Sequence, residues 1–193
     1  MRVITVANRK GGTAKTTTVV NLAYGFAQAN KRVIVLDLDN QGHVMHGLKA
    51  LGCVQQSDIT ELPLNTFFTS IVKCADNIYA TDVDTCNANT NEEITLDVLR
   101  NWCDSEAVTK HFDIVLIDTP PTLSPQLMAA LSAATDIIIP ATPLPLASDG
   151  VQKLLNACRN AMAERKFRAT KLTILPVMVE QNLKFCLLRY HYC

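Results

Sequence analysis

Residues 10–18 read KGGTAKTTT, and their types suit one task, holding a polyphosphate. Gly11 and Gly12 let the backbone turn tightly and aim its N–H groups at an anion. An amphipathic stretch over 15–29 would follow as a helix and point its positive end at the same spot. Lys15 could then reach the β- and γ-phosphates, and the Thr16 hydroxyl could ligate Mg²⁺. The usual spacing GxxxxGK[ST] asks for glycine at 9 and 14, where this chain has Arg9 and Ala14. Ala14 is tolerable if its backbone lies in a region open to L-residues. One lysine is left over: a phosphate loop needs Lys15 alone, so Lys10 requires a separate explanation.

Three aspartates stand at the ends of apolar runs. Asp37 and Asp39 belong to VIVLDLDNQG, and Asp118 closes FDIVLIDTPP. The elements that must position them follow from the same runs. VITVA (3–7), RVIVLD (32–37), FDIVLID (112–118), TDIIIPAT (135–142) and LTILPVMV (172–179) read as strands buried on both faces, with NIYATDV (77–83) a weaker sixth. Helix-like stretches lie between them at 15–29, 92–110, 123–133 and 147–165. Region 43–76 is the least legible and leaves room for a helix or two and a mobile loop. Strands alternating with helices predict an α/β fold, a mostly parallel sheet flanked by helices on both faces, in a single domain over 1–193. In such sheets ligands gather at the carboxyl ends of the strands, where NRKGGTAKTTT, DLDNQG, DTPP and ATPLP all fall.

Composition excludes several other classes. With 48% apolar and 19% charged residues the chain is globular and not disordered. Its apolar runs are too short for a transmembrane helix, and MRVITVANRK reads as a first strand and not a signal peptide. Seven cysteines, odd in number and without a CxxC pair, read as reduced thiols serving as small apolar residues. Net charge is zero, but residues 53–118 carry −9 and residues 150–193 carry +6, which hints at an anionic partner for the basic region.

KGGTAKTT resembles the deviant Walker A motif, KGGxxK[ST][ST], of the ParA/MinD group of P-loop ATPases. DLDNQG resembles that family's DxDPQ segment, with Asn40 in place of proline, and FDIVLIDTPP resembles its Walker B strand. The resemblance runs over about residues 1–180 and implies ATP and Mg²⁺ as cofactors. It implies that Lys10 crosses into the partner of an ATP-dependent homodimer and contacts phosphate there. Asp39 would orient the attacking water, so that Lys10, Lys15 and Asp39 form the catalytic set. The nucleotide would rest on Lys10, Gly11, Gly12, Thr13, Ala14, Lys15, Thr16 and Thr17. Thr16, Asp37 and Asp118 would lie at the metal, Asp118 through water. Hydrolysis would be weak until a partner stimulates it. After residue 182 the resemblance fades where relatives continue, so the chain is expected to be a short member or one with a shortened C-terminus.

The resemblance also bounds the cargo. The expected function is a ParA-like cytoplasmic switch that dimerises on ATP, binds DNA without sequence preference, becomes nucleoid-associated, and drives partition of a plasmid, chromosome or other cargo. A small DNA- or cargo-binding adaptor would stimulate it. Arg165, Lys166, Arg168 and Lys171 are the expected DNA contacts, with Lys153, Arg159, Lys184 and Arg189 in support. The alternatives are a protein-cargo positioner and a MinD-like membrane switch. NLKFCLLRYHYC has only two cations, Lys184 and Arg189, and is too short for firm attachment, which disfavours the membrane.

Overall fold

Every residue of Val33–Asp37 is buried, with Val33 and Val35 packed on one side and Ile34 and Leu36 on the other. A strand without a solvent face belongs inside a sheet covered on both sides, and that is where the computed structural model has it. The structure describes residues 1–39, 42–52, 71–81, 96–142, 149–163 and 167–179. Asn40, Arg165, Lys166, Lys184 and Arg189 therefore lie outside the described residues, as does the stretch 180–193.

In chain order the described elements are β1 (Arg2–Val6), α1 (Lys15–Gln28), β2 (Val33–Asp37), α2 (His43–Ala50), β3 (Ile71–Ala75) and β4 (Ile78–Thr81). There follow α3 (Leu96–Asp104), α4 (Glu106–His111), β5 (Ile114–Asp118), α5 (Pro125–Ala133), β6 (Asp136–Ala141), α6 (Asp149–Ala163) and β7 (Lys171–Pro176). The strands form one sheet in the order β3-β4-β2-β5-β1-β6-β7, parallel except for the β3–β4 hairpin. α1 and α2 cover one face: Val19, Val20, Ala23, Val44 and Leu48 pack on Ile4, Val6, Val33, Val35 and Leu116. α3, α4 and α5 cover the other, where Leu99, Trp102, Val108 and Phe112 meet Val3, Ile34, Leu36 and Ile117. A third cluster joins α5 and α6 to β6, through Leu127, Leu131, Leu154, Ile137 and Ile139. Each such fully buried aliphatic or aromatic side chain contributes about 1.5–3 kcal/mol, and these layers hold the strand ends in place.

The expected α/β architecture is the observed one, with local differences. β3 was not anticipated; it lies inside the illegible region 43–76, which also supplies α2. The expected helix 92–110 is two helices. Ser105 takes an extended backbone (φ −62°, ψ 146°) and its Oγ accepts the Val108 N–H at 3.4 Å, so it ends α3 and caps α4. β7 stops at Pro176, two residues before Met178 turns left-handed (φ 54°).

Candidate phosphate-binding site

β1 lies between β5 and β6, while the chain leaving β1 crosses to β2 beyond β5. The crevice this creates opens at the carboxyl ends of β1, β2 and β5, the place where ligands collect in such sheets. The loop leaving β1 is fixed there by two buried side chains. Asn8, 2% exposed, donates its amide to the Pro140 carbonyl at 2.6 Å and accepts the Lys10 N–H at 2.9 Å. Thr13, equally buried, donates its hydroxyl to the Lys10 carbonyl at 3.1 Å. The Lys10 backbone is thus held on both sides while its side chain is exposed. Neither tie was foreseen; a polar residue closing a buried strand was the only available sign of Asn8.

Gly12 (φ 70°) and Ala14 (φ 59°, ψ 31°) are both left-handed. Gly12 takes that conformation freely, whereas for an L-residue it costs about 1–2 kcal/mol, so Ala14 is accommodated with strain. α1 starts directly after it with no side-chain cap and no acidic residue in its first turn. Its leading N–H groups face the crevice without an internal anion.

Lys15, 8% exposed, begins α1, and burial lowers its pKa against the opposing pull of Asp118 and Asp39. The Thr16 hydroxyl donates to Asp118 Oδ2 at 2.5 Å, and the Thr119 N–H donates to Oδ1 at 3.1 Å. Burial pushes the Asp118 carboxyl up to about 6, with the Thr16 hydrogen bond and Lys15 resisting. In the β2–β5 register Asp37 is paired with Asp118. Burial, then the charge of Asp118, pushes Asp37 up to about 7. Sequence placed Asp37 at a metal, yet its oxygens accept backbone amides, from Asp39 at 3.0 Å and from Val44 at 3.2 Å. Asp39 itself is half-buried at the edge of the crevice.

The crevice has a volume of about 1180 Å³. Residues 11–17 form its floor, and Leu38, Asp39, His43, Pro120, Pro121 and Met178 are among its walls. Thr17 is exposed within it. The wall made by α2 and the residue after it, with His43, Gly47 and Leu51, was missed because it belongs to the illegible region. Thr16 and Asp118 offer hard oxygen donors side by side beneath the floor, a fit for Mg²⁺ and not for a soft metal. Among the described residues no group of three His, Cys, Asp or Glu side chains could hold a metal ion.

One residue of the basic region, Arg168, departs from expectation. Arg168 donates through Nε and Nη2 to the Ala133 carbonyl at 2.9 and 2.7 Å, and through Nη1 to both Asp104 oxygens at 2.5 and 2.7 Å. Its guanidinium closes the end of α5 and pairs with α3, so it is not a free phosphate contact. Lys171 is exposed, but it starts β7 and lies across from Asp136 at the amino ends of the strands, away from the crevice. There, burial would raise the Asp136 carboxyl, but hydrogen bonds from Arg2 and Thr135 and the charges of Arg2 and Lys171 hold it below its usual value.

A family model described as an AAA domain matches residues 1–174. The chromosome-partitioning ATPase Soj of Thermus thermophilus is 32% identical over 182 residues, 93% of this chain and 70% of Soj. Other curated relatives are longer, and the chain spans 51–65% of three of them. Among solved structures, the Mycobacterium smegmatis cobyrinic acid a,c-diamide synthase with bound ADP and magnesium is 27% identical, with a TM-score of 0.65 over 90% of this chain and 72% of that one. Apo McdA from Cyanothece has a TM-score of 0.70 at 21% identity, over 91% and 72% of the two chains, a likeness of fold.

Proposed function

Because the chain belongs to the ParA/MinD group of deviant Walker A P-loop ATPases, we propose that it is a ParA-like switch that binds ATP with Mg²⁺, dimerises and hydrolyses ATP to position a cargo. One observation carries the reading: Lys15, Thr16 and Asp118 converge under a crevice whose floor is the 11–17 loop and whose wall holds Asp39.

Phosphoryl transfer to water calls for positioning and charge neutralisation more than covalent chemistry. The Lys15 ammonium and the N–H groups of residues 11–16 take up charge on the β- and γ-oxygens. Thr16 and Asp118 would hold Mg²⁺, which would supply further neutralising charge. The Asp39 carboxylate orients a water in line with the γ-phosphate. Lys10 stands outside the crevice on a rigid turn with a free side chain, a form suited to reaching a second copy of the chain. Hydrolysis then depends on assembly, and ATP favours the dimer.

The cargo reading is ATP-dependent binding of non-specific DNA in a cytoplasmic, nucleoid-associated dimer, with an adaptor that stimulates hydrolysis. Support comes from the partitioning ATPase among its relatives and from the exposed Lys153 on α6. Arg165 and Lys166 remain in the proposed DNA contact; Arg168 does not.

Two variants and one assay pair test the reading. Lys15→Ala removes charge-assisted hydrogen bonds worth about 1.5–3 kcal/mol, so ATP affinity should fall roughly 10- to 100-fold. Lys10→Ala should keep monomer ATP affinity and lose ATP-dependent dimers on sizing. Unchanged affinity in the first variant refutes the assignment of the loop. Intact dimers in the second refute the trans role of Lys10. Binding of the ATP-bound dimer to anionic liposomes and not to duplex DNA would replace the DNA reading with the membrane one.

A further inference from the structure

A carboxylate at the end of β2, 1% exposed and beside Asp118, can serve either a metal or the backbone around it. Its hydrogen bonds point to the backbone. One Asp37 oxygen accepts the N–H of Asp39 and the other accepts the N–H of Val44. Val44 is the second residue of α2, and Gly42, which precedes the helix with φ 66°, has no side chain to cap it. Asp37 therefore caps α2 from outside its own segment, with a carboxyl oxygen at the positive end of a helix dipole. Its own backbone is anchored in turn, because the Asp37 N–H donates to Thr81 Oγ1 on β4 at 3.2 Å. The neighbouring Leu38 N–H donates to the Asp118 carbonyl at 3.1 Å.

We infer that Asp37 is a positioning residue: its two oxygens fasten Asp39 and the start of α2 to the end of β2, and so fix where the Asp39 carboxylate stands over the phosphate loop. The inference rests on the reading of Asp39 as the residue that orients water. A reacting group misplaced by about 1 Å can cost on the order of 100-fold in rate, while the phosphate cradle, built on another loop, is untouched. A metal ligand would act differently, since its loss weakens Mg²⁺ binding first.

Asp37→Asn keeps one acceptor and turns a donor toward the other amide; Asp37→Ala keeps neither. The expected result is a roughly 10- to 100-fold lower kcat in Asp37→Asn, and lower still in Asp37→Ala. ATP affinity and half-saturating Mg²⁺ should stay within about twofold of the wild type. A wild-type kcat in Asp37→Asn, or a tenfold or larger rise in half-saturating Mg²⁺, overturns the inference. Asp39→Ala separates the two levels: if it hydrolyses ATP like the wild type, the reading of Asp39 fails; if it is inactive while Asp37→Asn is fully active, the inference alone fails. Should the variants not fold, amide hydrogen exchange on the wild-type protein decides. Protection of the Asp39 and Val44 amides should persist when Mg²⁺ and a non-hydrolysable ATP analogue are added. Loss of that protection would show Asp37 leaving for the metal.

Discussion

Replacing Ala14 by glycine should stabilise the protein. Ala14 has φ 59° and ψ 31°, a conformation that costs an L-residue about 1–2 kcal/mol and glycine almost nothing. It cannot relax, because its carbonyl accepts the Thr18 N–H at 2.9 Å and the Thr18 hydroxyl at 2.7 Å, which together fix the first turn of α1. Against this gain stands the greater freedom of glycine in the unfolded chain, about 0.5–1 kcal/mol. Glycine also suits a position preceding a helix better than alanine does, by a few tenths or more. The balance is a stabilisation of about 0.5–1.5 kcal/mol, and at this chain length each kcal/mol raises Tm by about 2–4 °C. Thermal and urea unfolding of the nucleotide-free protein should both show the increase, with an unchanged urea slope. A lower Tm in Ala14→Gly would refute the strain, and would mean that the alanine methyl contributes packing greater than the backbone cost.

Arg168→Met should lose about 1–2 kcal/mol of stability in urea unfolding, less than a fully buried pair because Asp104 is 50% exposed, with ATP affinity unchanged. The metal-free protein should become less stable between about pH 4 and pH 7. Folded Asp37 and Asp118 keep their protons to about 7 and about 6, while in the unfolded chain these groups titrate near 3.8. Their contribution is therefore full below pH ~4 and lost as pH rises through the folded values. Urea melts in a chelator should show this slope, and Asp118→Asn should flatten it; a wild-type stability that rises over the same range contradicts the burial of the pair. Reversing Arg165 and Lys166 to Glu should weaken DNA binding on every sequence alike and reduce the log–log salt slope by about 0.9 for each phosphate no longer neutralised. An unaltered slope would move the DNA face elsewhere.

Those parts of the fold that sequence conveyed are the ones whose burial leaves a continuous signature. β2 and β5 are buried along their whole length and read as unbroken Val/Ile/Leu runs up to their closing aspartates, and in β1 and β6 the apolar run is broken only by Thr5 and Pro140. β3 has the half-buried Lys73 in its middle and lies at the sheet edge, so its apolar run is interrupted. The two-residue turn Asp76–Asn77, with Asn77 at φ 62°, was the available sign of its hairpin with β4. Lys10, Lys15, Thr16 and the three aspartates could be picked out because their motifs keep a fixed order along the chain. What those residues touch could not. The Asn8–Pro140 tie spans 132 residues, and the use of Asp37 depends on amide directions that only the folded loop defines. Arg168 looked solvated in a basic stretch because its partner Asp104 is 64 residues away.

The position of β1 in the sheet also sets the order in which the site can come into being. β1 is made before the other strands of this sheet, yet its register partners run from Ile114 to Asp118 on one side and from Asp136 to Ile138 on the other. Every ladder it forms therefore closes a loop of more than a hundred residues, the kind of pairing that slows folding. A ribosome-bound chain that has not yet released residue 118 has β2 and α1 but no partner on either side of β1. Until then the apolar runs VITVA and VIVLD stay exposed, and such intermediates are prone to aggregate or to engage chaperones. The phosphate loop has no fixed shape in that interval, because its Thr16 anchor, Asp118, and its Asn8 anchor, Pro140, arrive last. Nascent chains should therefore be unable to capture nucleotide until residues 118 and 140 have both been synthesised.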